Sequence, residues 1–297
     1  MPIKVKVFES GKNSSYFSVD SFTFPGGECH VRLGDKLEVP LLLSDKVEIT
    51  AYLYNSKDIM ILLFCVDAIR RINSEIRIKL IIPYLPYARQ DRVCTPGESL
   101  AVKVMADLIN SLKCNEVHIY DPHSDVAGAL INNCITIPLH QFLYVFNKTN
   151  FDLLKDCTLV SPDSGAEKKV LAAARSLGID KIVYASKIRN FRTGQISGTT
   201  ISHGDLYTGG NYIILDDICD GGRTFIELSK QLIARGINKD NIYLYITHGI
   251  FSQGLDVLRD YFKHIYCYHT FLTVDKIDKE FLTVLEYNNA YQPTDSD

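Results

Sequence analysis

Four consecutive apolar residues, Tyr212–Leu215, run directly into the acidic pair Asp216 and Asp217. The run is too short for a helix and contains two isoleucines, so it predicts a strand buried on both faces, as in a parallel sheet. Apolar residues recur at helical spacing from Phe225 onward and predict a helix. The glycine-rich stretch Gly221–Thr224 is therefore expected to connect the carboxyl end of a buried strand to a helix N-terminus.

This turn has the chemistry of an anion-binding site. In an open parallel sheet, backbone N–H groups and the positive end of the helix dipole converge on such a turn. Asp216 and Asp217 add paired hydrogen-bond acceptors, which suit the vicinal hydroxyls of a sugar. Together these groups predict a pocket for a ribose that carries a phosphate. An ordinary strand-to-helix turn with a solvated acidic pair is the alternative for this stretch taken alone.

Short apolar strands alternate with helical patterns along the chain, which predicts βαβ units and parallel sheets. Strands are expected at 47–53, 78–82, 117–120, 158–160, 182–184, 212–215 and 242–246, and helices at 60–72, 100–112, 167–177, 225–234 and 281–287. The pattern restarts after the third strand. We therefore expect an α/β protein with two doubly wound parallel-sheet domains, residues 1–140 and 141–297, and a terminal helix that could pack on the first domain.

The balance of residue types excludes several classes of protein. The 297 residues are 46% hydrophobic and 23% charged with a formal net charge of -3, so no basic surface for nucleic acid is expected. No apolar run is long enough to cross a bilayer, and the alternating residues Ile3–Val7 are unlike a signal peptide. We expect a cytoplasmic protein without membrane partners. The eight cysteines occur without a C-x-x-C pair, so neither a zinc site nor a disulfide framework is indicated.

Polar side chains also follow the other predicted strands. The strand at 78–82 ends in a proline-broken turn that carries Arg89 and Arg92, and guanidinium groups bind phosphates well. Further candidates follow the later strand ends, and they are Asp121, His123, Asp163, Lys187 and Arg189. Taken singly, the arginine loop, the D-x-H segment and the Lys187/Arg189 pair are each better explained by a solvated loop or a structural turn.

Taken together, these segments resemble the ribose-phosphate diphosphokinases. Pro83–Arg92 reads P-Y-L-P-Y-A-R-Q-D-R and is similar to the ATP-binding segment of that family. Asp216–Thr224 is similar to the phosphoribosyl-binding loop that the family shares with type I phosphoribosyltransferases. Five shorter segments resemble others of the family, and they are Phe24–Glu28, Asp121–His123, Ser161–Gly165, Lys187–Arg189 and Thr247–Ser252. The resemblance covers about residues 24 to 255.

The chain departs from the family at several of these positions. The phosphoribosyl loop usually reads D-T-G-G-T after the acidic pair, whereas here Gly221 replaces the first Thr and Arg223 replaces the second Gly. An arginine can grip a phosphate bidentately, but its Cβ excludes the close backbone approach that a glycine allows. Gly26 replaces an acidic or amide residue, Pro122 replaces a Leu, and Gly249 replaces a Pro.

The resemblance implies an enzyme of nucleotide biosynthesis that transfers the diphosphate of ATP to the anomeric hydroxyl of ribose 5-phosphate, giving phosphoribosyl diphosphate and AMP. It implies the fold of type I phosphoribosyltransferases in both domains, the first binding ATP and the second ribose phosphate. It further implies Mg²⁺ as cofactor and a homo-oligomer, a dimer or hexamer, in which the loop at 24–28 reaches the adenine of a neighbouring subunit. The segment 190–210, which is expected to be irregular, would act as a lid that excludes water.

The family roles transfer to this chain residue by residue. The resemblance implies catalysis by Lys187 and Arg189. It implies ATP binding by Phe24, Glu28, Arg89, Gln90, Asp91, Arg92 and His123. Ribose and phosphate binding are implied for Asp163, Asp216, Asp217, Asp220, Gly221, Gly222, Arg223 and Thr224, and magnesium binding for Asp121, His123 and Asp163.

Three alternatives stay open at this point. The residues Gly221 and Arg223 favour a larger acceptor, such as ADP-ribose, as an alternative that would give ADP-ribose pyrophosphate. A non-catalytic relative that regulates an active partner is a second possibility, although it would not need Lys187, Arg189 and the acidic pair together. A base-transferring phosphoribosyltransferase fits the loop at 216–224 but leaves the segment at 87–92 unexplained.

Overall fold

The computed structural model describes residues 2–8, 14–189, 196–201, 206 and 209–285, with the backbone alone at 145, 149, 151, 187–189 and 196–199. The chain divides into two compact units, one up to Ile137 and the other from Pro138 onward. Each unit has its own sheet. None of the described helices is long and apolar enough to cross a membrane.

The first unit is built on a six-stranded sheet. The strands of the whole unit, six in this sheet and two outside it, are β1 (Ile3–Val7), β2 (Ser15–Ser18), β3 (Asp20–Thr23), β4 (Cys29–Arg32), β5 (Lys46–Ala51), β6 (Arg77–Ile82), β7 (Glu116–Tyr120) and β8 (Cys134–Ile137). The sheet has the order β2-β1-β5-β6-β7-β8, with β5 to β8 parallel and β1 antiparallel to both of its neighbours. The strands β3 and β4 form a separate antiparallel hairpin.

Four helices of the first unit share one apolar core with this sheet. They are α1 (Asp35–Leu43), α2 (Ser56–Ile72), α3 (Ala101–Ser111) and α4 (Asp125–Leu130). The helix α2 begins at a capping box, in which the Asn55 side chain accepts from the N–H of Asp58 and the Asp58 carboxylate accepts from the N–H of Asn55. The buried stripe of α2 includes Leu62, Val66 and Ile69. The parallel pairing places the carboxyl ends of β6 and β7 side by side.

The second unit is built on a seven-stranded sheet. Its strands are β9 (Cys157–Ser161), β10 (Ile182–Arg189), β11 (Ile196–Ile201), β12 (Asn211–Cys219), β13 (Ile242–Gly249), β14 (His264–Thr270) and β15 (Leu282–Val284). The order is β11-β10-β9-β12-β13-β14-β15, and every pair is parallel except β10 with β11.

Helices cover both faces of this second sheet. They are α5 (Leu139–Thr149), α6 (Phe151–Leu154), α7 (Glu167–Leu177) and α8 (Arg223–Ala234). Ile213 and Leu215 of β12 lie in the core that includes α7, whereas Ile214 lies in the core that includes α8. The apolar run of β12 is therefore buried on both faces, as its sequence predicts.

The α/β class with parallel sheets is confirmed, but three local expectations are wrong. The strand β12 continues beyond Leu215 to Cys219 because its later residues still pair with β13. The acidic pair therefore lies within the strand. Residues 282–284 form β15 instead of a helix, because the edge of β14 supplies hydrogen-bonding partners there. Within the segment 190–210, expected to be irregular, residues 196–201 form β11 because they pair with β10. Residues 190–195, 202–205, 207–208 and 286–297 lie outside the described residues.

Candidate active site

The turn after β6 presents basic and amide side chains on a fixed backbone. Arg89, Gln90 and Arg92 are exposed. Tyr87 adopts a φ of 65°, and the N–H of Gln90 donates to the Tyr87 carbonyl at 3.0 Å. The N–H of Val102 at the start of α3 then donates to the Gln90 carbonyl at 3.3 Å. The backbone of this turn is thus held at two points while its cationic side chains stay accessible.

Asp91 connects this turn to the residues that follow β7. Its side chain is only 5% exposed and accepts a hydrogen bond from Arg92 Nε at 2.9 Å. The Arg92 hydrogen bond holds the pKa of the Asp91 carboxyl below its usual value, with smaller contributions from the Ser124 hydroxyl and the His123 imidazole. The structure therefore brings Asp91, Arg92 and His123 together at the carboxyl ends of two neighbouring strands. In this structure Asp91 serves to orient Arg92.

Asp121 and His123 lie in different environments although they are close in sequence. Asp121 is 2% exposed and adopts a φ of 37°, and its N–H donates to the Ile137 carbonyl at 2.7 Å. His123 is exposed. Within the described residues, no three His, Cys, Asp or Glu side chains converge as a group that could hold a metal ion. The Asp121 carboxylate is the kind of oxygen ligand that magnesium prefers, and this ion usually takes its other ligands from phosphates and water.

The hairpin of β3 and β4 presents two further candidates. The N–H of Phe24 donates to the Glu28 carbonyl at 2.8 Å, and the N–H of Gly27 donates to the Phe24 carbonyl at 2.8 Å. The Phe24 ring is 46% exposed and packs edge-on against Phe22, with ring centroids 5.0 Å apart. The hairpin tip therefore offers an exposed aromatic face beside the exposed Glu28.

The second unit gathers several carboxylates at the end of β12. The N–H of Asp217 donates to Oδ1 of Asp216 at 2.9 Å. Burial raises the pKa of the Asp216 carboxyl well above its usual value, and the charges of Asp217 and Asp163 raise it further. Burial also raises the pKa of the Cys219 thiol, with the charges of Asp216 and Asp220 adding to the effect. Asp163 and Asp217 thus lie close enough to act on Asp216, and Asp220 follows directly after β12.

Lys169 supplies positive charge to these carboxylates, and the sequence reasoning missed it. Its Nζ lies 3.4 Å from Oδ2 of Asp217, and the two side chains are 21% and 6% exposed. Lys169 lies in the first turn of α7, after the turn in which Asp163 Oδ1 accepts from the N–H of Gly165 at 3.0 Å. No local pattern marks Lys169, because the contact depends on α7 crossing β12.

The loop between β12 and α8 has the conformation of an anion-binding turn. Gly222 adopts a φ of 78° and occupies the N-cap of α8, where no side chain caps the helix. The N–H of Ile226 donates to the Gly222 carbonyl at 3.0 Å, so the first N–H groups of α8 have no intrahelical acceptor. Arg223 is exposed and Thr224 is half-buried at this end. These groups can bind an anion.

Lys187 and Arg189 lie on the part of β10 that extends past β9. Tyr184 is the last residue of β10 that pairs with β9, opposite Ser161. Beyond it, Lys187 pairs with Thr199 of β11, and the register shifts between Ile188 and Arg189. The side chains of Lys187 and Arg189 lie outside the described part of the structure.

The chain is similar in sequence to ribose-phosphate pyrophosphokinases. Residues 13–112 match the family model of the N-terminal domain of ribose phosphate pyrophosphokinase. A ribose-phosphate pyrophosphokinase of Pyrococcus furiosus is 27% identical over 244 residues, which are 80% of each chain. That of Granulibacter bethesdensis is 32% identical over 213 residues, which are 70% of this chain and 64% of the relative.

The fold agrees with a solved structure as well. The crystal structure of a phosphoribosylpyrophosphate synthetase from Mycobacterium smegmatis superposes with a TM-score of 0.71 at 23% sequence identity. The match covers 90% of this chain and 85% of the other. The same fold therefore extends over both units.

Proposed function

Because this chain is a divergent relative of the ribose-phosphate pyrophosphokinases, we propose that it transfers the diphosphate group of ATP to the anomeric hydroxyl of ribose 5-phosphate. The products are phosphoribosyl diphosphate and AMP. The observation that carries this proposal is the placement of the acidic pair near the carboxyl end of β12, which a short loop connects to the N-terminus of α8. Acceptors for sugar hydroxyls and donors for a phosphate thereby adjoin one another.

The second unit binds the sugar in this proposal. Asp216 and Asp217 accept hydrogen bonds from the vicinal hydroxyls, and Lys169 holds Asp217 in place. The backbone N–H groups at Gly222–Thr224 and the Arg223 guanidinium bind the phosphate. Asp163 and Asp220 complete the acidic surroundings of the ring.

The first unit binds ATP in this proposal. The phosphates of ATP accept hydrogen bonds from the side chains of Arg89, Arg92 and His123, and the two arginines also supply positive charge. Asp91 orients Arg92 for this contact. The exposed Phe24 offers a face on which an adenine can stack. We further propose a homo-oligomer in which this hairpin serves a neighbouring subunit, which light scattering in solution would test.

The proposed reaction is an in-line transfer of a diphosphoryl group. The anomeric hydroxyl oxygen attacks the β-phosphorus and releases its proton to solvent, the bond from that phosphorus to the α,β-bridging oxygen breaks, and AMP leaves with the electron pair. Such a transfer depends on positioning and on neutralising charge, which we assign to Lys187 and Arg189. Magnesium would neutralise further phosphate charge, and Asp121, His123 and Asp163 are the residues that we propose for holding it.

ADP-ribose is the second candidate acceptor. A Cβ placed on Gly221 would lie in ordinary van der Waals contact with Gln253 Cγ, at 3.6 Å, so Gln253 lines the loop at the position where the resembling family carries a threonine. The exposed Arg223 could pair with a second phosphate. This exposed guanidinium favours a larger group, with a second phosphate, on the 5-position of the ribose.

Mass analysis of the products tests the proposal. ATP incubated with magnesium and ribose 5-phosphate should give AMP and phosphoribosyl diphosphate, whereas preferential turnover of ADP-ribose would favour the second candidate. Lys187→Ala should reduce turnover by at least about a hundredfold, the usual scale for removing one group that stabilises transition-state charge. Lys181→Ala is the matched control, because Lys181 is exposed before β10 and pairs with Asp156 at 2.7 Å. If neither ribose 5-phosphate nor ADP-ribose gives AMP, the proposal is refuted.

A further inference from the structure

The turn that follows β13 is tied to the end of β12. The N–H groups of Ile250 and Phe251 both donate to the Cys219 carbonyl, at 2.8 Å and 3.1 Å. The N–H of Gly254 then donates to the Phe251 carbonyl at 2.8 Å. The chain at 250–254 is therefore anchored on the strand that carries the acidic pair.

Phe251 fixes the direction in which this turn leaves the sheet. Its φ of 50° is in the left-handed region, which a bulky residue adopts only when its surroundings enforce it. Its ring is 3% exposed and packs against Gly249 so closely that a Cβ on Gly249 would lie 2.2 Å from Phe251 Cε2. The glycine at 249 is thus required by this packing. The backbone that leads into Ser252 and Gln253 is therefore fixed in position by Phe251.

Those two residues present polar side chains to the phosphate-binding loop. Ser252 and Gln253 are exposed. Gln253 Cγ lies 3.6 Å, and Ser252 Oγ 4.0 Å, from the position of a Cβ on Gly221. A carboxamide offers two donors and an acceptor, and a hydroxyl offers one donor. The loop therefore has a second wall, which is made of side chains, in addition to its backbone N–H groups.

We propose that Gln253, supported by Ser252, is a specificity-determining residue that binds the group on the 5-position of the acceptor sugar. This inference rests on the proposed function, because it assumes that the loop at Gly221–Thr224 binds that phosphate. The Gln253 amide donates to a phosphate oxygen in addition to the backbone N–H groups of the loop. Gln253 contacts only the non-reacting end of the sugar, so it acts on sugar affinity.

Two substitutions at Gln253 test this role through steady-state kinetics. Gln253→Ala should raise the KM for ribose 5-phosphate about tenfold, the usual scale for losing one hydrogen bond to a charged group. Gln253→Glu should raise it further, because a carboxylate then faces a phosphate dianion. Both changes should leave the KM for ATP unaltered and change kcat far less than the KM for the sugar. Gln141→Ala and Gln141→Glu are the matched controls, because Gln141 is an exposed residue of α5.

The possible outcomes separate this inference from the proposed function. Active wild-type enzyme with an unaltered sugar KM in both Gln253 variants would overturn the inference and leave the proposed function standing. Increases in the KM for ATP and the KM for the sugar by similar factors, together with a similar fall in kcat, would indicate a structural role for Gln253 and would also overturn the inference. Wild-type protein that forms no AMP with either sugar would overturn both.

Discussion

Replacing Gly222 with alanine should destabilise the second unit, whereas the same replacement at Gly221 should not. Gly222 has a φ of 78°, and an L-residue in that region costs about 1–2 kcal/mol. A Cβ there would also lie 2.8 Å from Cδ2 of Leu258, which is 1% exposed and cannot turn away into solvent. Overpacking of this kind costs about 1–3 kcal/mol, and the lower entropy of the unfolded chain returns about 0.4–1 kcal/mol.

The net effect at Gly222 is a loss of about 1–4.6 kcal/mol, within which about 2 kcal/mol is a conservative expectation. At Gly221 the φ is outside the left-handed region and the nearest atom to a Cβ is 3.6 Å away, so the change should stay within about 1 kcal/mol of zero. Amide hydrogen exchange, followed by mass spectrometry, measures both variants locally, with α2 peptides as the internal reference. Peptides of α8 should exchange about thirtyfold faster in Gly222→Ala than in wild type. Equal protection of α8 in the two variants would refute the reasoning.

Two other properties can be tested by substitution. Lys169→Met removes the charge beside the buried Asp217 carboxylate and should lower the free energy of unfolding, measured by urea denaturation, by about 1–3 kcal/mol. Lys168→Met, at the exposed neighbouring position, is the control and should change it by less than about 0.5 kcal/mol. Equal effects of the two substitutions would contradict the role of the ion pair. Burial lowers the pKa of His269 from 6.5 to about 3, and the charge of His248 adds to this effect. Between these two values the unfolded chain binds a proton that the folded chain does not, so stability falls as the pH drops from 6.5 toward 3. This one group accounts for a loss of about 1.4 kcal/mol in the free energy of unfolding between pH 7.5 and 5.5. In His269→Gln the free energy of unfolding, measured by urea denaturation, should therefore fall by about 1.4 kcal/mol less over that pH range than in wild type. An unchanged pH dependence would contradict the assignment.

Much of the fold could be predicted because local pattern and burial agree. The helix expected at 167–177 has those bounds, and the apolar run at 212–215 is buried on both faces. The end of β12 could not be predicted, because residues 216–219 pair with β13 at a position that only the partner strand determines. For the same reason the pattern at 281–287 gave no indication that the edge of β14 would bind residues 282–284.

The candidate site shows the same division between local and non-local signals. The Asp216 and Asp217 pair and the glycine turn stand next to one another in sequence, so their chemistry could be predicted directly. The Lys169 contact and the wall formed by Gln253 depend on how α7 and the turn after β13 cross the end of β12. Thr247–Ser252 was identified only through a family resemblance, whereas the packing of Phe251 on Gly249 gives the physical reason for the glycine.

The central claim is that a diphosphoryl group, and not a single phosphoryl group, moves from ATP to a sugar. ATP radiolabelled at its β-phosphorus tests it directly, with ribose 5-phosphate as the acceptor and magnesium present. The label should appear in the sugar diphosphate while the AMP that is released stays unlabelled. Recovery of the label in ADP, or in unreacted ATP alone, would contradict the account.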